Sequence, residues 1–257
     1  MDLQLQNKVA LVAGSSRGIG KAIAAQLLDE GARVCLTGKN NASLERCFSE
    51  LRAKHPPEQV LAVLGDLTDI AGIQSALAAI REKWGGVDLL VANLGSGSGK
   101  LGWSQSEEEW ERVFRVNFWG SVRLAQAVMP DLIERHGCIV FIASIVGLEM
   151  TSAPMPYSAA KAALINYSKN LSRTVATDGV RVNAVAPGNI LFPGGSWERH
   201  LADRREQIEQ YIAKEVPLQR FGAPEEIAAL VAFLCSNVGG FSTGACYVMD
   251  GGQTHRI

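Results

Sequence analysis

The sequence predicts a doubly wound α/β fold, a parallel sheet of about seven strands with helices on both faces, on three observations. Short β-branched apolar runs recur along the whole chain; helical patterns fill the intervals between them; and the runs, such as VALVA at 9–13 and CIVFIA at 138–143, show no polar–apolar alternation. Strands read this way when both faces are covered, as in a parallel sheet whose right-handed crossovers place helices on either side.

In chain order the expected strands lie over 8–13, 33–37, 60–65, 87–92, 138–143, 180–186 and 245–249. Each is short, apolar and bounded by glycine, asparagine or charge. The first runs into Gly14-Ser15-Ser16-Arg17-Gly18-Ile19-Gly20 and then the helical stretch KAIAAQLLDEGA. One segment breaks the alternation, 188–222, with NILFPGGSWERH followed by the charged, helix-like ADRREQIEQYIAKE. It follows a strand end, with Gly194-Gly195 as a hinge, and reads either as a lid over a substrate pocket or as surface helices that only pack.

The 257 residues are expected to form one domain over 1–257. Lys+Arg 25 against Asp+Glu 26 gives a net charge of -1, which supplies no field for nucleic acid or an anionic membrane and points to a small-molecule partner. The N-terminus has no charged region followed by a long apolar stretch, and no run reaches transmembrane length, so a cytoplasmic location is expected. Cys35, Cys47, Cys138, Cys235 and Cys246 lack metal-ligand spacing and read as reduced structural thiols, and the four histidines are dispersed. No metal site is expected.

In a doubly wound sheet ligands bind beyond the carboxyl ends of the strands. The turn Gly14–Gly20 stands there at the first strand–helix junction, where Gly14, Ser16, Arg17, Gly18, Ile19 and Gly20 would let a pyrophosphate approach the helix N-terminus. The second strand ends Leu36-Thr37-Gly38-Lys39-Asn40 without the carboxylate that would bind free ribose hydroxyls. Lys39 and Arg17 could instead face a 2′-phosphate, so NADP(H) is expected over NAD(H), with an ordinary solvated lysine as the other reading of Lys39. Asp66-Leu67 and Asn93-Leu94-Gly95 close the third and fourth strands as walls of the adenine and ribose pocket, and Asp66 alternatively caps the next helix.

Ser144 follows the fifth strand, and Tyr157 and Lys161 stand i and i+4 in a helical pattern, on one face. An adjacent ammonium is expected to lower the phenol pKa, fitting Tyr157 for acid/base work on a carbonyl that Ser144 holds by a second hydrogen bond. Lys161 would also reach the ribose of the nicotinamide.

Gly14-x-x-x-Gly18-Ile19-Gly20, Asn93-x-Gly95, Asn117, Ser144, Tyr157-x-x-x-Lys161 and Pro187-Gly188 together resemble, in order and spacing, the short-chain dehydrogenase/reductase family over essentially the whole chain. The resemblance implies a Rossmann-type domain, a Ser-Tyr-Lys catalytic set with Asn117 completing a proton relay through water, Pro187, Gly188 and Ile190 at the cofactor, and a homotetramer or homodimer. Through GSSRGIG, RVNFWG and YVMDGG the chain looks most like 3-oxoacyl-[acyl-carrier-protein] reductases. It departs from them at Leu94, at Phe192 where a threonine commonly stands, and at Asp178 where a carrier-docking base is usual; Arg135 matches another docking position.

The expected function is hydride transfer between NADP(H) and a carbonyl or secondary alcohol of a small or acyl substrate. The alternatives are a non-catalytic dinucleotide-binding sensor or scaffold with the same fold and, less fittingly for so short a chain, an epimerase or dehydratase on a nucleotide sugar. Trp103, Leu148, Met150, Met155, Phe192 and Trp197 fall after strands and either line an apolar pocket or simply pack.

Overall fold

The computed structural model describes residues 1–255. Its strands are β1 (Val9–Val12), β2 (Arg33–Gly38), β3 (Val60–Leu64), β4 (Leu89–Ala92), β5 (Cys138–Ile142), β6 (Arg181–Pro187) and β7 (Cys246–Met249). The helices are α1 (Gly18–Asp29), α2 (Asn41–Arg52), α3 (Ile70–Trp84), α4 (Glu107–Phe114), α5 (Gly120–Arg135), α6 (Met155–Val175), α7 (Ser196–Glu215) and α8 (Pro224–Cys235). The seven strands form one parallel sheet in the order β3-β2-β1-β4-β5-β6-β7. All seven expected strands are present, shorter by a residue or two at several ends. Backbone pairing fades there into the loops, although Ala13 N still donates to Val91 O at 2.9 Å beyond the end of β1.

Burial explains the unbroken apolar strands. Ala10 and Val12 of β1 face a core with Ile23 and Leu27 of α1, Leu44 of α2 and Ile227 and Val231 of α8. Val9 and Leu11 face the opposite core, with Ile73 and Ile80 of α3, Leu124 and Leu132 of α5 and Leu164 of α6. Each β1 residue is therefore buried whichever way it points, and a polar side chain on either face would be costly.

The sheet winds outward in opposite directions from β1 and β4, so their carboxyl ends open into the crevice that such a switch of order creates. The amino-terminal edge is closed. There the buried Asp88 carboxylate accepts from Val9 N at 2.8 Å and pairs with Lys8 and Arg135, each at 3.6 Å. Among the described residues no helix is long and apolar enough to cross a membrane, and no cluster of side chains could hold a metal ion.

The segment over 188–222 leaves and returns at one place, a parallel bridge between Ile190 and Gly222, with Leu191 N donating to Gly222 O at 3.0 Å. Its helix α7 starts six residues before the charged stretch expected from sequence and kinks at Arg204, whose φ of -147° and ψ of 48° are not helical. Trp197 packs against Tyr211, His200 and Phe221, and Gln253 joins Tyr211 Oη to Asn189 through two hydrogen bonds.

Candidate active site

At the end of β1 the chain turns over a small polar floor. Thr37 Oγ1 accepts from Gly14 N at 3.2 Å and donates to Val12 O at 3.1 Å, while Ser15 Oγ donates to Val12 O at 2.9 Å and accepts from Thr37 N at 2.8 Å. Asn93 Nδ2 donates to Gly14 O at 3.1 Å, tying the turn to the end of β4. Ser15, in the glycine turn, and Thr37, in β2, are fully buried parts of this floor, and a small hydroxyl at either place gives no sequence signal until its partners are known.

Two glycines are required by space. A Cβ on Gly20 would stand 2.3 Å from Gly14 O, and one on Gly18, at φ +56°, would stand 2.5 Å from the Phe192 ring. The turn is thus a backbone-lined cradle at the start of α1, whose first turn carries no acidic side chain. Free N–H groups without a nearby carboxylate suit a pyrophosphate, so the residues present fit a dinucleotide. Gly20→Ala is expected to cost about 2 kcal/mol in denaturant unfolding, because the obstructing atom is backbone, and to abolish NADPH binding in a fluorescence titration.

Beside the cradle, Arg17 and Leu67 are engaged by contacts within the fold. Arg17 Nη1 donates to Gly194 O at 2.9 Å, so in this structure the guanidinium is bound to the loop after β6. Lys39 is exposed at the end of β2, close enough to act on the charge of Asp66. Leu67 turns its side chain into the core beneath α3. Asp66 accepts from Thr68 N at 2.9 Å and Thr68 Oγ1 at 2.8 Å, closing the turn before α3 rather than capping the helix, whose N-cap is Asp69. Burial alone would raise the Asp66 carboxyl, but the Thr68 bonds and the Lys39 and Arg115 charges outweigh it, leaving its pKa lowered.

The proposed chemical groups converge beyond β4 and β5. Ser144 is buried at the end of β5 and is hydrogen-bonded to the Tyr157 hydroxyl. Tyr157 lies in the first turn of α6 and Lys161 one turn later; Lys161 Nζ donates to Ile142 O at 2.9 Å and Leu94 O at 3.3 Å. Asn117 sits in a single π-helical turn, Arg115–Trp119, between α4 and α5, a local widening common at functional sites. Its side chain accepts from Ser96 N at 2.9 Å and donates to Ser96 O and Val113 O, clasping the loop after β4. A Cβ on Gly95 would lie 3.0 Å from both Asn117 Oδ1 and Lys161 Nζ.

Electrostatics correct one expectation. Burial raises the Tyr157 pKa, only partly offset by the Ser144 hydrogen bond, and the same dry surroundings push Lys161 down to about 7. Spacing identifies the pair but not its desolvation, which opposes both charges.

After β6, Pro187 is buried, Ile190 packs into the core beside α8, and Gly188 is required because a Cβ would meet Asp250 at 2.7 Å. Phe192 reaches back across the crevice onto Gly18. Arg135, the matched carrier-docking base, is instead paired with Asp88 at the opposite edge of the sheet, and Asp178 is exposed in the turn after α6. The cysteines are free thiols, four of them buried.

A parallel sheet with this strand order, a glycine cradle at its switch point and a Ser–Tyr–Lys set beyond β5 define a dinucleotide-binding oxidoreductase fold. The family model described as enoyl-(acyl carrier protein) reductase matches residues 13–254. The chain belongs to the short-chain dehydrogenase/reductase family. It is 38% identical over 252 residues to the 3-oxoacyl-[acyl-carrier-protein] reductase FabG of Escherichia coli (strain K12), covering 98% of this chain and 99% of that one. Identity to the protein of the same name from Aquifex aeolicus (strain VF5) is 37% over 254 residues, covering 98% and 100%. The solved L-sorbose reductase of Gluconobacter frateurii, complexed with NADPH and L-sorbose, superposes with a TM-score of 0.93 at 32% identity, covering 100% of both chains.

Proposed function

We propose that this chain interconverts a carbonyl and a secondary alcohol with NADP(H), using Tyr157 as general acid/base. The observation that carries the reading is the Ser144–Tyr157 hydrogen bond beside Lys161 at the carboxyl edge of the sheet, next to the glycine cradle. A bound reduced nicotinamide would supply the hydride. Negative charge then develops on the substrate oxygen, to which Tyr157 delivers its proton while the Ser144 hydroxyl donates a hydrogen bond. Burial favours this direction, because it keeps the phenol protonated until a charge develops beside it. In oxidation Tyr157 receives the proton instead, assisted by Lys161 in its ammonium form. Asn117 holds Ser96 and with it the wall opposite Tyr157, and a role in a water relay to Lys161 belongs to the same proposal.

The preference for NADP(H) rests on the end of β2, where Lys39 stands exposed and no carboxylate follows the strand, and agrees with the NADPH bound to L-sorbose reductase. Lys39→Ala is expected to raise the KM for NADPH about tenfold and leave that for NADH unchanged. The deciding experiment follows NADPH absorbance against a panel of ketones and aldehydes, with NADH as control. Consumption supports the reading; binding of NADPH without consumption across the panel replaces it with a non-catalytic dinucleotide sensor.

A further inference from the structure

The six apolar side chains that follow strands separate into two groups. Phe192 lies on Gly18, Trp197 is stacked on Tyr211, and Leu148 is partly buried. Trp103, Met150 and Met155 are instead 86%, 98% and 50% exposed, and Leu101, not singled out by the sequence, is 68% exposed. Leu101 and Trp103 stand on the loop after β4, and Met150 and Met155 stand between β5 and the start of α6; large apolar side chains held in water mark a binding surface.

We propose that these four side chains receive the apolar substituent of the substrate, so that the chain acts on ketones bearing an alkyl chain or aryl ring rather than on polyols. This inference rests on the oxidoreductase reading above.

Continuity with Tyr157 singles out this occupant. The loop after β4 passes directly over the catalytic helix: a Cβ on Gly97 would lie 3.6 Å from Tyr157 Cε1, and one on Gly99 would lie 3.1 Å from Pro154, the residue before Met155. The loop is braced to keep its apolar tip outward. Gln105 Nε2 donates to Lys100 O, Leu101 O and Gly102 O at 2.9, 3.2 and 3.1 Å, and Arg112 donates to Ser98 O while paired with Glu109. Two hydroxyls of the same loop engage one another, Ser96 Oγ to Ser98 Oγ at 2.7 Å, rather than pointing free toward the hydroxyls of a sugar. A chain extending from a carbonyl at Tyr157 along this loop would run toward its apolar tip, and burying it there would remove apolar surface of both partners from water.

The test uses the enzyme with NADPH, methyl ketones of increasing length from butanone to decan-2-one, acetophenone and a ketohexose. The expected kcat/KM rises about two- to fourfold for each added methylene, mainly through KM, and the ketohexose falls below the longer ketones. In the Trp103→Ser/Met150→Ser double variant, the ratio of kcat/KM for decan-2-one over butanone should fall roughly tenfold. Neither side chain is buried, and circular dichroism checks that the fold is retained.

A flat length series, a preferred ketohexose or an unchanged ratio in the double variant overturns the inference while leaving the oxidoreductase reading in place. Decan-2-one that quenches tryptophan fluorescence in the wild type but not in the double variant, without NADPH consumption by any ketone, supports the apolar receptor and removes the reading. A double variant whose mass in light scattering drops to that of a smaller assembly, with its length selectivity intact, makes the surface a contact between two copies and overturns the inference.

Discussion

Tyr157→Phe is expected to reduce turnover about a thousandfold while NADPH affinity stays within about threefold of wild type. Phenylalanine keeps the ring that packs under Gly97 and loses only the hydroxyl that is hydrogen-bonded to Ser144. The proton needed as the substrate oxygen gains charge then has no donor in hydrogen-bond reach, whereas the glycine cradle at the other side of the crevice is untouched. Single-turnover kinetics on the preformed complex separates the two effects. Residual turnover within tenfold of wild type would show that another group supplies the proton.

Lys161→Met is expected to change stability in a pH-dependent direction. In the fold Lys161 is held down to about 7 against an ordinary 10.5, so between those values the unfolded chain binds more protons than the folded one. Stability from this group is therefore lowest below pH about 7, where a charge must be kept in a dry site, and rises as pH climbs toward 10.5, by at most about 1.4 kcal/mol per pH unit. Melting of the protein without cofactor, followed from pH about 7 to 9, should show a stabilising slope in wild type that is smaller in Lys161→Met. Taking the difference between the two proteins removes the contribution of Cys138, which titrates in the same direction. Equal slopes would mean that Lys161 is charged throughout, held by Ile142 O and Leu94 O. Turnover by this variant should also fall sharply, since an ammonium beside Tyr157 is lost.

The strands were legible because a parallel sheet leaves an unmistakable trace: residues such as Val9 to Val12 are apolar in succession since both sides of the sheet are buried. The placement of Gly14, Ser144, Tyr157 and Lys161 near one edge followed from the rule that loops after parallel strands share a side. What escaped depends on contacts between distant segments. Sequence places Arg17 and Lys39 at one nucleotide end, whereas the Arg17 guanidinium donates to Gly194 O, 177 residues further along the chain. Leu67 follows a strand, yet its side chain joins the core with Ile73 and Leu77, a contact no local pattern announces. The π turn at Asn117 has no residue signature, since one extra residue per turn is fixed by what the helix must clasp, here Ser96. The direction of the Tyr157 shift depended on how dry its surroundings are, a property of the whole fold that neighbours four residues apart do not reveal.

The bridge between Ile190 and Gly222 gives the segment it encloses the character of an exchangeable cassette. Since both ends are pinned to the framework at one point, residues can be inserted or removed between them with only a slowly growing entropic cost and without altering the register of β6 against β7. The stretch around α7 can thus vary in length and sequence while the sheet that positions Ser144, Tyr157 and Lys161 stays fixed.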